Sequence, residues 1–299
     1  MAGPRQETER AVRKGIRSSL VGIVVNLFFA FTKCIVGIVG HSFALIADGI
    51  ESFSDVVSSS VVALGLWFAI KPPDQDHPYG HGKAEPIAAI VVSLALLAAG
   101  IAIAVESIAE IQTPHRLPES YTLVVLVGVV VIKVVLSRYV GSVGNDIEST
   151  AVKADAWHHL SDAITSAFAF VGITIALLTK NPTADDWAAL CASPVILFNG
   201  FRQLKAPVRE ILDTAPPVDM ELNVRRVAEK VAGVAGLDKC YLRKVGFQYY
   251  VDLHVRVDGR ISVTAGHQIA HEVKNSILAA YPRIAEVLVH IEPTRGARY

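Results

Sequence analysis

Four ionisable residues lie inside two otherwise apolar stretches: Glu51 and Asp55 in SFALIADGIESFSDVV, and His158 and Asp162 in AVKADAWHHLSDAITS. Each pair has the i, i+4 spacing that puts both side chains on one face of a helix. Carboxylates and imidazoles ligate divalent metals, and a charge left unpaired in hydrocarbon costs roughly 3 kcal/mol or more. The residue types and their setting therefore point to a metal pathway through a membrane. The competing reading is a set of interhelical salt bridges. Three carboxylates around one imidazole cannot satisfy one another while ionised, so that network would still need a cation or protons.

The elements that must position these residues follow from composition. The chain of 299 residues is 52% hydrophobic and 19% charged, with a mean hydropathy of +0.43, which is outside the habit of a soluble domain. The excess is concentrated in six runs near residues 16–39, 43–70, 86–111, 121–140, 156–179 and 185–204. Each approaches the roughly 20 residues a helix needs to cross a bilayer. The second and fifth runs carry the acidic and His pairs, which lowers their hydropathy. A six-helix membrane domain over residues 15–206 is expected, after a short cytoplasmic segment, 1–14. No cleavable signal peptide is expected, because the first apolar run is too long and follows a polar, basic stretch.

Arg5, Arg10, Arg13, Lys14 and Arg17 precede the first span, and Lys71, Lys83, Arg138 and Lys153 fall on the same predicted side. Both termini should then face the cytoplasm. Lys133, inside the fourth span near its cytoplasmic end, is expected to snorkel to the surface. The net charge is zero with no long basic run, which excludes a nucleic-acid footprint. Cys34, Cys191 and Cys240 show no CxxC spacing and read as small apolar fillers.

Past Pro207 charged residues become frequent, and residues 207–299 read as a separate cytoplasmic domain. A helix over 219–232, strands over 240–245 and 249–257, a helix over 263–281 and a strand over 286–291 give the order αββαβ. In the second strand Val251, Leu253, Val255 and Val257 alternate with Asp252, His254 and Arg256, the period of a half-buried strand. Both helices are expected on one face of the sheet. At about 90 residues the unit has a modest core that dimerisation would help.

The segment from Ser42 to Asp55, the loop DQDHPYGHGKAE from Asp74 to Glu85, and HHLSD from His158 to Asp162 together resemble the cation diffusion facilitator family of divalent-metal/proton antiporters. The stretch from Pro216 to Pro293 resembles that family's cytoplasmic domain. The resemblance implies a homodimer with six transmembrane helices and a metallochaperone-like αββαβ tail in each protomer. It implies a transport site at Glu51, Asp55, His158 and Asp162, with Glu51 departing from the usual Asp or His. It also implies a loop metal site at Asp74, His77 and His81, where Asp76 could replace Asp74. Cytoplasmic metal positions fall at His254, His267, His290 and Glu292, with Asp238 where other members place a His. A charge interlock between Lys83 and Asp213 is implied to hold the dimer near the membrane surface.

Three carboxylates and one imidazole without sulfur admit Zn²⁺, Fe²⁺, Mn²⁺, Co²⁺ and Cd²⁺ and disfavour copper(I). Mg²⁺ sheds water too reluctantly for a dry midplane site. Zn²⁺ heads the expected cargo, with Fe²⁺ and Mn²⁺ next. No prosthetic group is expected, since metal is cargo and regulator. An emptied site would take up protons that metal then expels, which suffices for antiport. His158 is the residue suited to switching near neutral pH. His159 points about 100° around the helix from His158, and Asp48 and Asp155 lie one turn out from the pairs; each reads as a residue that supports the ligands or lines the mouth, and not as a ligand. No HExxH occurs, so a membrane metallohydrolase is not expected. The alternative is a transport-silent sensing or scaffolding partner, whose mark would be loss of the membrane site. Short loops without a His-rich insertion favour the inner membrane of a bacterium.

Overall fold

The computed structural model describes the backbone of residues 4–294 apart from 40–42, 113–116, 118 and 182, and within it all side chains but those of 4–8, 37, 39, 43–51, 54, 169, 185 and 189. Six long helices come first: α1 (Pro4–Val39), α2 (Phe43–Ala69), α3 (Ala84–Gln112), α4 (Thr122–Asp146), α5 (Thr150–Thr179) and α6 (Ala184–Ile211). Then follow α7 (Val218–Ala228), β1 (Gly236–Val245), β2 (Gln248–Val257), α8 (Val263–Ala280) and β3 (Ile284–Pro293). The chain forms two compact units: Val12–Val208, and Arg209–Tyr299 together with the first eleven residues.

The membrane unit inverts the distribution of a water-soluble bundle. Val24, Phe28, Val57, Leu64, Val105, Val124, Leu178 and Phe198 point outward, while Ser18, Ser19, Asn26, Ser52, Ser59, Ser93, Ser137 and Ser161 are buried. Lipid tails solvate large apolar side chains, so helices pack through small and polar residues. Residues 9–36, 84–112, 122–146 and 150–179 are helices long and apolar enough to cross a membrane, among the described residues. Within α2, residues 55–69 form an apolar segment among the described residues, and the whole helix is 27 residues long.

Close packing sets the helix positions. A Cβ on Gly65 of α2 would lie 2.4 Å from the Ala88 Cβ of α3, so only a glycine permits this approach. On α4, Ser137 donates to the Ala156 carbonyl at 2.8 Å, and Gly141 and Gly144 meet Ala156 and Lys153 of α5. Residues 137, 141 and 144 share a helix face, so α4 lies along α5 through a stripe of small side chains. At the start of α5, Ser149 caps the helix by accepting from the Val152 N–H. The fully buried Glu85 accepts there from Ser149 Oγ at 2.7 Å, Thr150 Oγ1 at 3.0 Å and the Ala151 N–H at 2.9 Å. A carboxylate on the exposed N–H groups of a helix start is favoured by the helix dipole.

In the tail unit, β1 pairs antiparallel with β2 around Gly246, and β2 pairs parallel with β3. Gly246 has φ 61°, the left-handed conformation that suits glycine in a tight turn. Buried positions alternate strictly along β2, with Val251, Leu253, Val255 and Val257 turned to a core shared with Val224, Ala228, Val273 and Ile277 from the helices. The cysteines are free thiols. Cys240 belongs to this core, and burial pushes its thiol up to about 11.

Candidate metal centre

Asp55 on α2 and His158 and Asp162 on α5 each offer a ligand atom within 4.8 Å of the others. Asp55 Oδ1 pairs with His158 Nε2 at 2.8 Å. Both residues are buried, and Nδ1 of His158 has no hydrogen-bond partner among the described residues. The set of two carboxylates and an imidazole suits a borderline or hard divalent cation. Glu51 stands one turn before Asp55 on α2, and its side chain lies outside the described residues, as does that of Asp48.

The structure corrects the expectation for Lys133. Its side chain is 1% exposed and does not reach the surface. The ammonium donates to Asp55 Oδ2 at 2.6 Å, Asp162 Oδ2 at 2.8 Å and Asn26 Oδ1 of α1 at 2.7 Å. Three acceptors match the three N–H donors of the group, so the charge is paired at depth and snorkelling would gain nothing. Asn26 also escaped the sequence reading. Lys133 lies one turn before Ser137 on the small-residue face of α4, but that face is recognisable as a packing face only once α5 lies against it.

Beside the cluster, Asp155 Oδ1 accepts from Ser59 Oγ at 2.8 Å and lies 3.8 Å from His159 Nε2, too far for a hydrogen bond. Both Asp155 and His159 are fully buried, so Asp155 sits inside the bundle and not at a solvent-facing mouth.

The loop between α2 and α3 brings together Asp74, His77 and His81, again with one ligand atom each within 4.8 Å. The Asp74 Oδ1 atom accepts from the His77 backbone N–H at 2.7 Å, and His81 Nε2 is 3.4 Å from Oδ2. The His77 N–H holds the Asp74 carboxyl below its ordinary value, aided by the imidazoles. Asp74, not Asp76, is the carboxylate of the cluster.

In the tail the parallel register sets His254 opposite His290, with ring centroids 4.8 Å apart. Glu292 Oε1 lies 2.6 Å from His254 Nδ1 and 3.9 Å from His290 Nε2. The hydrogen bond from His254 holds the Glu292 carboxyl below its ordinary value. His267 is not part of this group and packs against His271 on α8 with ring centroids 4.4 Å apart. Asp238 is exposed on β1, where its carbonyl faces Arg225. Lys83 precedes α3 in the membrane unit. Asp213 follows α6 in the tail unit, 3.7 Å from Arg243 Nη1.

Comparison with known proteins matches this organisation. The cation efflux transmembrane domain matches residues 19–212, and the cytoplasmic domain of cation efflux proteins matches residues 216–294. The manganese efflux system protein MneP of Bacillus subtilis is 31% identical over 98% of this chain and 99% of its own. The magnetosome protein MamM of Paramagnetospirillum magneticum is 29% identical over 91% of this chain and 86% of its own. A solved nickel form of a MamM C-terminal domain variant aligns with 26% of this chain and 100% of its own, at 24% identity and a TM-score of 0.26. The chain is a multi-pass membrane protein and belongs to the cation diffusion facilitator family of metal efflux transporters.

Proposed function

We propose that the protein exports divalent transition metal from the cytoplasm in exchange for protons, with Mn²⁺ the foremost cargo and Zn²⁺ and Fe²⁺ its competitors. The observation that carries the reading is the cluster of buried Asp55 and His158 with part-buried Asp162 on two packed membrane helices. Carboxylate oxygens, which predominate in the set, suit Mn²⁺, and a relative over nearly the whole chain bears the name of a manganese efflux protein. Glu51, from the turn before Asp55, completes a ligand set of three carboxylates and one imidazole. Metal and protons compete for the same oxygens, and two conformations expose them to opposite sides. Proton entry then drives metal out.

The working unit in this proposal is a homodimer in a bacterial inner membrane with both termini cytoplasmic. The Lys83–Asp213 pair holds protomers together near the membrane surface. The loop cluster at Asp74, His77 and His81 and the tail cluster at His254, His290 and Glu292, with His267 and Asp238 contributed across the dimer, bind regulatory metal.

The test is uptake into proteoliposomes under an imposed pH gradient, with Mn²⁺, Zn²⁺ and Fe²⁺ compared for the wild type and Asp55→Ala. Gradient-driven flux that disappears in the variant supports the proposal, and the metal with the highest kcat/KM is the cargo. A folded, dimeric wild type that moves none of the three metals sinks it in favour of a sensing or scaffolding role.

A further inference from the structure

The position a metal would take between α2 and α5 is held by a cation that belongs to the chain. Lys133 Nζ sits 2.6 Å from Asp55 Oδ2 and 2.8 Å from Asp162 Oδ2. A metal bridging the two helices would use those same carboxylates. At ligand distances of about 2.0–2.2 Å it would stand within a few ångströms of the ammonium, where two cations in a site shielded from water repel strongly. The two cannot share the site.

Two packing features place the ammonium there. Ser137 and Gly141 press α4 onto α5, the helix that carries His158 and Asp162. Asn26 on α1 supplies the third acceptor and so balances the group between two carboxylates and an amide. The flexible four-carbon stem of lysine lets the ammonium swing away without moving the helix.

We propose that Lys133 is a tethered competitor for the transported ion: its ammonium fills the empty transport site and must leave Asp55 and Asp162 before metal can bind. The inference rests on the transport site proposed above. Its consequences are electrostatic. With metal gone, Lys133 keeps the buried carboxylates compensated, so the empty bundle stays packed. With metal present, the cost of expelling the ammonium lowers affinity, which lets the ion depart on the far side. Lys133 is in these terms a positioning and affinity-setting residue that acts through Asp55 and Asp162.

The experiment uses full-length protein in detergent. Mn²⁺ binding is measured by calorimetry at one fixed pH for the wild type, Lys133→Gln, Lys133→Arg and Asn26→Leu, with Asp55→Ala as the blank. The same proteins are then assayed for KM and kcat in proteoliposomes. Lys133→Gln should bind Mn²⁺ at least about tenfold tighter, since a fixed positive charge beside the ligands is gone. Its KM and kcat should both fall, because metal held more tightly leaves more slowly. Lys133→Arg, which keeps the charge, should bind within about threefold of wild type. Asn26→Leu, which leaves every ligand in place, should shift affinity in the direction of Lys133→Gln by a smaller factor.

A wild type that binds and transports Mn²⁺ while Lys133→Gln binds equally or more weakly overturns the inference. If Lys133→Gln fails to fold, Asn26→Leu decides, and unchanged or weaker binding there overturns it too. A wild type that neither binds nor moves any of the three metals overturns the transport site and this inference with it.

Discussion

Glu85 ties the start of α3 to the start of α5, and its removal should loosen the helix that carries His158 and Asp162. The carboxylate is fully buried and accepts from two hydroxyls and one backbone N–H. A hydrogen bond to a charged group contributes about 1.5–3 kcal/mol, and its loss leaves the buried partner unsatisfied. The three share one oxygen and do not add, so Glu85→Ala should cost about 3–5 kcal/mol, including the helix-dipole contribution. Glu85→Gln keeps an acceptor but loses the charge and should cost about 1–2 kcal/mol. For a unit near 200 residues this lowers the apparent Tm by roughly 6–20 °C for Ala and 2–8 °C for Gln. Tryptophan fluorescence reads this cleanly, because the three tryptophans, Trp67, Trp157 and Trp187, all lie on membrane helices. Glu85→Ala and Glu85→Gln both melting within about 2 °C of wild type would refute the anchoring argument.

Gly65→Ala forces a Cβ against Ala88 and should cost about 1–3 kcal/mol through overpacking. Adding Ala88→Gly should recover most of the lost Tm, and strictly additive losses would show that the two helices do not meet there. In the tail, His254 holds the folded-state pKa of Glu292 below its ordinary 4.5. That contribution is fully present above pH 4.5 and is lost as pH falls through the lower folded value. Chemical denaturation midpoints of the tail across an acid series should therefore fall less steeply for Glu292→Gln than for wild type, and parallel curves would contradict the pairing.

The candidate ligand residues were legible because a charge in an apolar run is a strong local signal. Asp55, His158 and Asp162 are such charges, and the i, i+4 spacing already placed His158 and Asp162 on one face of α5. The αββαβ order was equally readable, since strict alternation along β2 and the turn at Gly246 are written into neighbouring residues. The grouping of the tail histidines was less so. His254 and His290 meet because β3 pairs parallel to β2 in one register, while His267 sits on a helix beside His271, and strand register is a contact between distant residues.

Lys133 shows where local reading stops. A lysine near the end of a span has two low-energy fates, to carry its charge to the interface or to meet acceptors inside the bundle, and its own neighbours permit either. The choice depends on whether oxygens from α1, α2 and α5 converge within about 3 Å of the same point. The chain's local chemistry settled which residues would sit in the membrane and which could hold a metal. Helix packing settled that a lysine from a fourth helix occupies the centre among them, because that position is created by residues 26, 55, 133 and 162 arriving together.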